Sequence, residues 1–354
     1  MNTTRALAEL GQSLWLDNIT RELLDDGTLR RYVDEYCITG LTSNPTIFDK
    51  AIGDGSAYDE QIDELASRGL EGEALFFELA LTDLRRAAEL FEPINKRTDE
   101  VDGWVSLEVS PLLADDAEAT IDQARELHGK ADCNVYIKIP GTEAGRTAIE
   151  ESIFAGVPIN VTLLFSREQY LGAAEAFMRG VERRIDAGLD PSVPSVASLF
   201  ISRWDVAVAD EAPAELRNRL GIAVGKRAYR AYRELLDSER MQRLANEGAR
   251  PQRLLWASTG TKDPDASDTL YVEALAAPFT VNTMPEKTLL AVADHGEIGE
   301  PMAADGGDAE DTLRAFGDAG IDVDALAARL QTEGAETFVA SWRELLDTVS
   351  KQLA

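Results

Sequence analysis

Cysteine and histidine are nearly missing from this 354-residue chain, which has two of the first and two of the second. Cys37 and Cys133 lie in separate apolar runs, with no CxxC spacing and no Cys/His cluster, so neither a disulfide framework nor a zinc site is expected. His128 and His295 stand alone, which leaves histidine-based acid/base chemistry and metal binding without candidates. Long apolar runs are also missing. No stretch approaches the roughly 18 residues of a membrane span, and the N-terminus lacks the basic-then-apolar pattern of an export signal. The expectation is a cytoplasmic protein with no membrane partner. Positive charge is scarce: 64 acidic residues against 35 basic give a formal charge of -29, spread along the chain without an acidic tail. Such a surface repels phosphate backbones, so nucleic acid is not an expected partner. An anionic substrate would need a local cluster of basic residues. The excess of acid and of arginine over lysine is compatible with a salt-adapted or GC-rich source.

What is present is a globular composition, 44% hydrophobic, sufficient for a substantial core. Apolar runs of strand length alternate with helical patterns. The strands expected are 13–18, 37–45, 104–110, 134–140, 158–165, 193–201, 253–258 and 279–283. Helical patterns cover 21–35, 58–68, 71–94, 115–128, 142–155, 166–187, 212–246 and 266–275, with a further helix from Pro285. Eight strands nearly all separated by helices favour a closed (β/α)8 TIM barrel over an open doubly wound sheet. After a loop at 301–307, residues 309–317 and 323–353 read as extra C-terminal helices. Their stripe of Phe338, Trp342, Leu345, Leu346 and Val349 suits packing on the barrel. No low-complexity linker divides the chain, so one domain is expected over 1–354, with the barrel at about 12–295 and the helical extension at about 308–354.

Of eight lysines, only Lys138 lies inside a β-branched and aromatic run, Cys133-Asn134-Val135-Tyr136-Ile137-Lys138-Ile139-Pro140. An isolated ammonium in a low-dielectric site tends to lose its proton, and a neutral amine is the nucleophile of Schiff-base chemistry. The plainer alternative is a lysine that snorkels out at a strand end. Its neighbours bear on the choice. Side chains alternate along a strand, and inward residues near the C-terminal ends of barrel strands line the active site. Polar residues fall at those late positions: Asp17; Thr42 and Asn44; Ser106 and Glu108; Lys138; Asn160 and Thr162; Ser198; Ser258; Asn282. Any one alone reads as a capped strand end or a satisfied buried hydrogen bond. Eight strands converging on one rim read better as a site. One amine, two carboxylates and several amides and hydroxyls, without a metal-ligand triad, suit carbonyl chemistry. Lys138 would form the imine, with Asp17 and Glu108 carrying protons. Arg203, Ser258 and Lys262 follow the sixth and seventh strands, where barrels commonly bind phosphate. A rim salt bridge is the plainer reading of the two cations.

These residues resemble the transaldolase family. The matching pieces are Trp15-Leu16-Asp17, Gly40-Leu41-Thr42-Ser43-Asn44-Pro45-Thr46, Ser106-Leu107-Glu108-Val109-Ser110 and Ile137-Lys138-Ile139-Pro140-Gly141-Thr142. Asn160-Val161-Thr162-Leu163-Leu164-Phe165-Ser166, Ser198-Leu199-Phe200-Ile201-Ser202-Arg203 and Trp256-Ala257-Ser258 follow in the family's order. The resemblance spans about residues 12–350. It implies a class I aldolase-type barrel, without cofactor or metal, acting on sugar phosphates in the non-oxidative pentose phosphate pathway. Lys138 would be the Schiff-base lysine, Asp17 the acid/base at the C4 hydroxyl, and Glu108 the acid that works through a water held with Thr162. Asn44 and Asn160 would bind the dihydroxyacetone hydroxyls, Ser198 and Phe200 the sugar chain, and Arg203, Ser258 and Lys262 the phosphate. One departure stands out: the best-known members carry an arginine where this chain has Gly260, which makes Lys262 the nearest cation. The loop Trp-Ala-Ser-Thr-Gly-Thr-Lys resembles the actinobacterial-type branch. Two alternatives remain, a fructose-6-phosphate aldolase that releases free dihydroxyacetone and a catalytically silent barrel that binds. In the aldolase relatives a glutamine replaces the carboxylate found here as Glu108. A monomer and a homodimer are equally compatible with the sequence.

Overall fold

The computed structural model describes residues 2–353. Its eight strands are β1 Ser13–Asp17, β2 Ile38–Thr42, β3 Val105–Glu108, β4 Val135–Pro140, β5 Ile159–Leu164, β6 Ser195–Phe200, β7 Arg253–Ala257 and β8 Val281–Met284. All pair in parallel in the order β2-β1-β8-β7-β6-β5-β4-β3. The two ends of that series meet. Gly40 bridges Trp104, Leu41 N–H donates to Trp104 O at 3.0 Å, and Gly103 N–H donates to Thr39 O at 2.9 Å. The result is a (β/α)8 barrel. Glycine at 40 is a steric requirement of this seam: a Cβ there would lie 2.6 Å from Trp104 O and 2.8 Å from the Trp15 indole.

Short polar residues start the helices that return the chain to the sheet. Asn44, Asp116, Thr142 and Ser166 each accept a hydrogen bond from a first-turn N–H, Ser166 within a capping box with Gln169. The expected elements differ from the observed ones where a cap was overlooked. The helix expected over 21–35 is two, Arg21–Asp25 and Thr28–Tyr36, because Gly27 takes a left-handed φ of 77° between them. The strand expected to reach Pro45 ends at Thr42, and Asn44-Pro45 instead opens a helix, Pro45–Gly53. The long helical region over 212–246 divides into Leu220–Leu236 and Glu239–Asn246, the second capped by Ser238. The helix over 266–275 shortens to Leu270–Ala274, and a helix Thr3–Leu10 precedes β1.

Inside the barrel, Trp15, Trp104 and Tyr136 stack into an aromatic floor, with ring centroids 5.9 Å and 4.5 Å from Tyr136. The C-terminal helix Val323–Gln352 buries Phe338, Trp342, Leu345 and Val349, and Trp342 meets Phe76 edge-on at 5.1 Å. Gln331 Nε2 donates to Leu163 O at 3.0 Å, which ties this helix to the end of β5. No described helix is long and apolar enough to cross a membrane.

Candidate active site

Lys138 and Glu108 are register partners on β4 and β3, so their side chains enter the barrel side by side. Lys138 Nζ lies 3.3 Å from Glu108 Oε2 and donates to Ser43 O at 3.0 Å. The residues are 6% and 4% exposed. Burial pushes the Glu108 carboxyl above the ordinary carboxylate range; Lys138 pulls it back and Asp17 adds to the rise. A carboxyl that resists ionisation places a proton-holding acid 3.3 Å from the lysine nitrogen. The ring of Phe338, from the C-terminal helix, lies 5.8 Å from Nζ.

Asp17 ends β1 above the floor. Thr42 Oγ1 donates to its Oδ1 at 2.8 Å, and Thr42 Oγ1 lies 2.6 Å from Thr283 Oγ1. Thr42 has one hydroxyl proton, so donating it to Asp17 makes Thr283 the donor to Thr42. Burial raises the Asp17 carboxyl; Lys138, the Thr42 hydroxyl and Lys262 oppose the rise. A half-buried carboxyl held this way can exchange a proton with a substrate hydroxyl.

A cavity of about 300 Å³ opens over these groups at the C-terminal ends of the strands. Of the residues expected from sequence, Lys138, Asp17, Asn44, Thr162, Ser198, Phe200, Arg203, Ser258 and Lys262 line it. Asn44 spends its Oδ1 on the Ile47 N–H as a helix cap, leaving its Nδ2 for a ligand. Glu108 and Asn160 stand behind the wall. Asn160 is fully buried, donating through Nδ2 to Ser106 Oγ at 3.2 Å and accepting from Ser198 Oγ at 2.7 Å. Asn282 does not reach the rim. It pairs in register with Trp256, faces away from the barrel axis and accepts from Thr259 Oγ1 at 3.0 Å. Its neighbour Thr283 takes the inward place, a one-residue displacement that reverses the face.

Besides Lys138, three basic side chains line the cavity: Arg203, Lys262 and Lys50. Among the described residues none forms an ion pair within 4.0 Å, whereas Arg179, Arg183, Arg227 and Arg240 on the surface do. Arg203 lies 5.4 Å over the Phe200 ring, and burial lowers its guanidinium pKa. Ser258 holds a left-handed φ of 57° and meets Ser202 Oγ at 2.9 Å, a backbone strain that is typical of functional sites. A Cβ at Gly260 would lie 3.9 Å from Lys262 Nζ and 3.3 Å from Pro285 and Thr288. The Lys262 ammonium therefore lies beside the space that a side chain at 260 would enter. Lys50, Thr283 and Phe338 are among the lining residues that sequence reasoning missed. Lys50 lies on the helix Pro45–Gly53, for which no helical pattern was expected, and Phe338 belongs to a stripe read only as packing on the barrel.

A (β/α)8-barrel enzyme with a buried lysine–carboxylate pair under the cavity at the C-terminal ends of its strands is the class these features define. Comparison narrows it. The transaldolase/fructose-6-phosphate aldolase family matches residues 14–349. A protein named transaldolase from Mycolicibacterium paratuberculosis is 45% identical, covering 98% of this chain and 96% of its own length. One of the same name from Thermobifida fusca is also 45% identical, over 98% and 97%. A third, from Renibacterium salmoninarum, is 44% identical over 99% and 96%. The chain belongs to the transaldolase/fructose-6-phosphate aldolase family.

Proposed function

We propose that this chain transfers a dihydroxyacetone unit from sedoheptulose 7-phosphate to glyceraldehyde 3-phosphate, through an imine at Lys138. Transaldolase activity follows from family membership and from full-length similarity to proteins of that name. The observation that carries the mechanism is the buried Lys138–Glu108 pair beside Asp17 under a cavity with three unpaired cations.

In this reading the Lys138 amine adds to the C2 carbonyl. The carbinolamine then loses water with a proton supplied from Glu108 through a water. Glu108 Oε1 and Thr162 Oγ1 are both buried without a protein partner, which suits them to holding that water between them. Asp17 removes the C4 hydroxyl proton, the C3–C4 bond breaks, and its electron pair passes into the protonated imine to give an enamine. Erythrose 4-phosphate leaves. The enamine carbon attacks the aldehyde of glyceraldehyde 3-phosphate, and Asp17 returns its proton to the new alkoxide. Hydrolysis releases fructose 6-phosphate and restores the amine. Asn44 and Ser198 bind the sugar hydroxyls, Asn160 orients Ser198, and Phe200 and Phe338 keep the imine dry. Arg203, Ser258 and Lys262 take the phosphate, and Lys50 adds charge from the opposite rim. The reaction needs no cofactor or metal. In this reading it acts in the cytoplasm, where the sugar phosphates of this pathway are, as a monomer or homodimer, and without nucleic acid, which a net charge of -29 disfavours.

The test is to supply fructose 6-phosphate with and without erythrose 4-phosphate. The expected result is sedoheptulose 7-phosphate formed only with the acceptor. Acceptor-independent release of free dihydroxyacetone would instead mark an aldolase.

A further inference from the structure

A second cavity, of about 430 Å³, opens at the opposite end of the barrel, among the N-terminal ends of the strands. Its walls include Leu14, Val101, Tyr136, Arg253 and Phe279, with Gln12 at one side. The mouth is unusually apolar for exposed surface: Phe279 is 59% and Val101 48% exposed. Phe279 is also held at a left-handed φ of 63°, a conformation that a bulky side chain rarely adopts.

Two donors in this wall have no charged partner among the described residues, the Tyr136 hydroxyl and the Arg253 guanidinium. Tyr136 is 2% exposed, yet among the described residues its hydroxyl makes no hydrogen bond. Burial pushes its phenol pKa far up, so the group stays a proton donor. Arg253 spends its donors on neutral oxygens, Val101 O at 3.1 Å, Ser13 Oγ at 2.6 Å and Thr280 O at 3.0 Å, and forms no ion pair among the described residues. The buried carboxylate in the wall, Asp102, is already saturated by Trp15 Nε1, Thr39 Oγ1 and Gly103 N–H. Glu100 is exposed at the rim, and Arg250 is paired with Asp99. One acceptor is idle: Gln12, 1% exposed, leaves Oε1 without a donor. A ligand acid group that accepts from Tyr136 and Arg253 would make a charge-assisted contact that the wall itself does not supply.

We propose that this cavity is a second ligand site, separate from the catalytic one, for a small aromatic acid. Its ring system would lie against Val101, Leu14 and Phe279, and its acid group would accept from Tyr136 and Arg253.

The probe is 8-anilinonaphthalene-1-sulfonate, which has two aromatic systems, a sulfonate and an N–H. Titrated into the folded protein, it should bind saturably at one site per chain. Binding should persist after Lys138 is blocked by fructose 6-phosphate and borohydride. Val101→Trp, which fills the mouth, and Arg253→Gln, which removes the charge, should each weaken binding about tenfold or more, the loss of roughly one charged contact, while thermal melting confirms that both variants are folded. If either variant fails to fold, Phe279→Ala replaces it. Non-saturable binding, loss of binding when Lys138 is blocked, or indifference to the mouth variants would overturn the proposal. So would a dimer in sedimentation that Val101→Trp dissociates, since a second copy would then cover the mouth.

Discussion

At the scale of single residues, hydrogen bonds and burial set the protonation of the carboxyls around Lys138. The Thr42 hydroxyl stabilises the ionised form of Asp17, opposing the rise caused by burial. Removing it in Thr42→Val should raise the Asp17 pKa further. Since cleavage needs Asp17 as a base, the acid limb of the kcat/KM profile should move to higher pH, and Thr42→Ser should restore it. An unmoved limb would show that Asp17 is not the group it reports. Lys262→Ala should raise KM for phosphorylated donors and leave unphosphorylated ones nearly unchanged; equal effects would remove Lys262 from the phosphate site. Much of this site was legible in the sequence, because period two carries Asp17, Glu108, Lys138, Thr162 and Ser198 to one interior. Asn282 was misread because a strand of alternating small polar residues does not declare which of them faces in. Phe338 was missed because no periodicity tells where a distant helix crosses the mouth, and Lys50 because the helix that opens at Pro45 was not expected.

At the scale of elements, strand order and closure hold the lysine in place. The seam between β2 and β3 depends on Gly40, wedged against Trp104 O and the Trp15 ring. Gly40→Ala should cost about 1–3 kcal/mol or more, as overpacking of a tight interior does. Urea unfolding measures this, and an unchanged midpoint would mean that the seam opens without strain. Strands were the readable elements, since each is a short apolar run with polar residues near its end. Helix divisions were less so: Gly27, Asn44 and Ser238 act through backbone geometry and single hydrogen bonds that helical periodicity passes over.

At the scale of the whole molecule, the C-terminal helix and the barrel share one interior. Phe338 stands near Lys138 and Trp342 packs on Phe76. We propose that the chain is one domain over its length. Calorimetry should show a single transition, whereas a separate early transition of the C-terminal helix would divide it. With a net charge of -29, self-repulsion weakens the compact state. Added sodium chloride should therefore raise the melting temperature as it screens that repulsion, and a fall would mean that the surface ion pairs dominate. Everything in the barrel converges on one amine, and the most direct measurement addresses it. Incubation with fructose 6-phosphate and borohydride, followed by peptide mass spectrometry, should place a reduced three-carbon adduct on Lys138 and on no other lysine. Full activity with Lys138 unmodified would contradict the account.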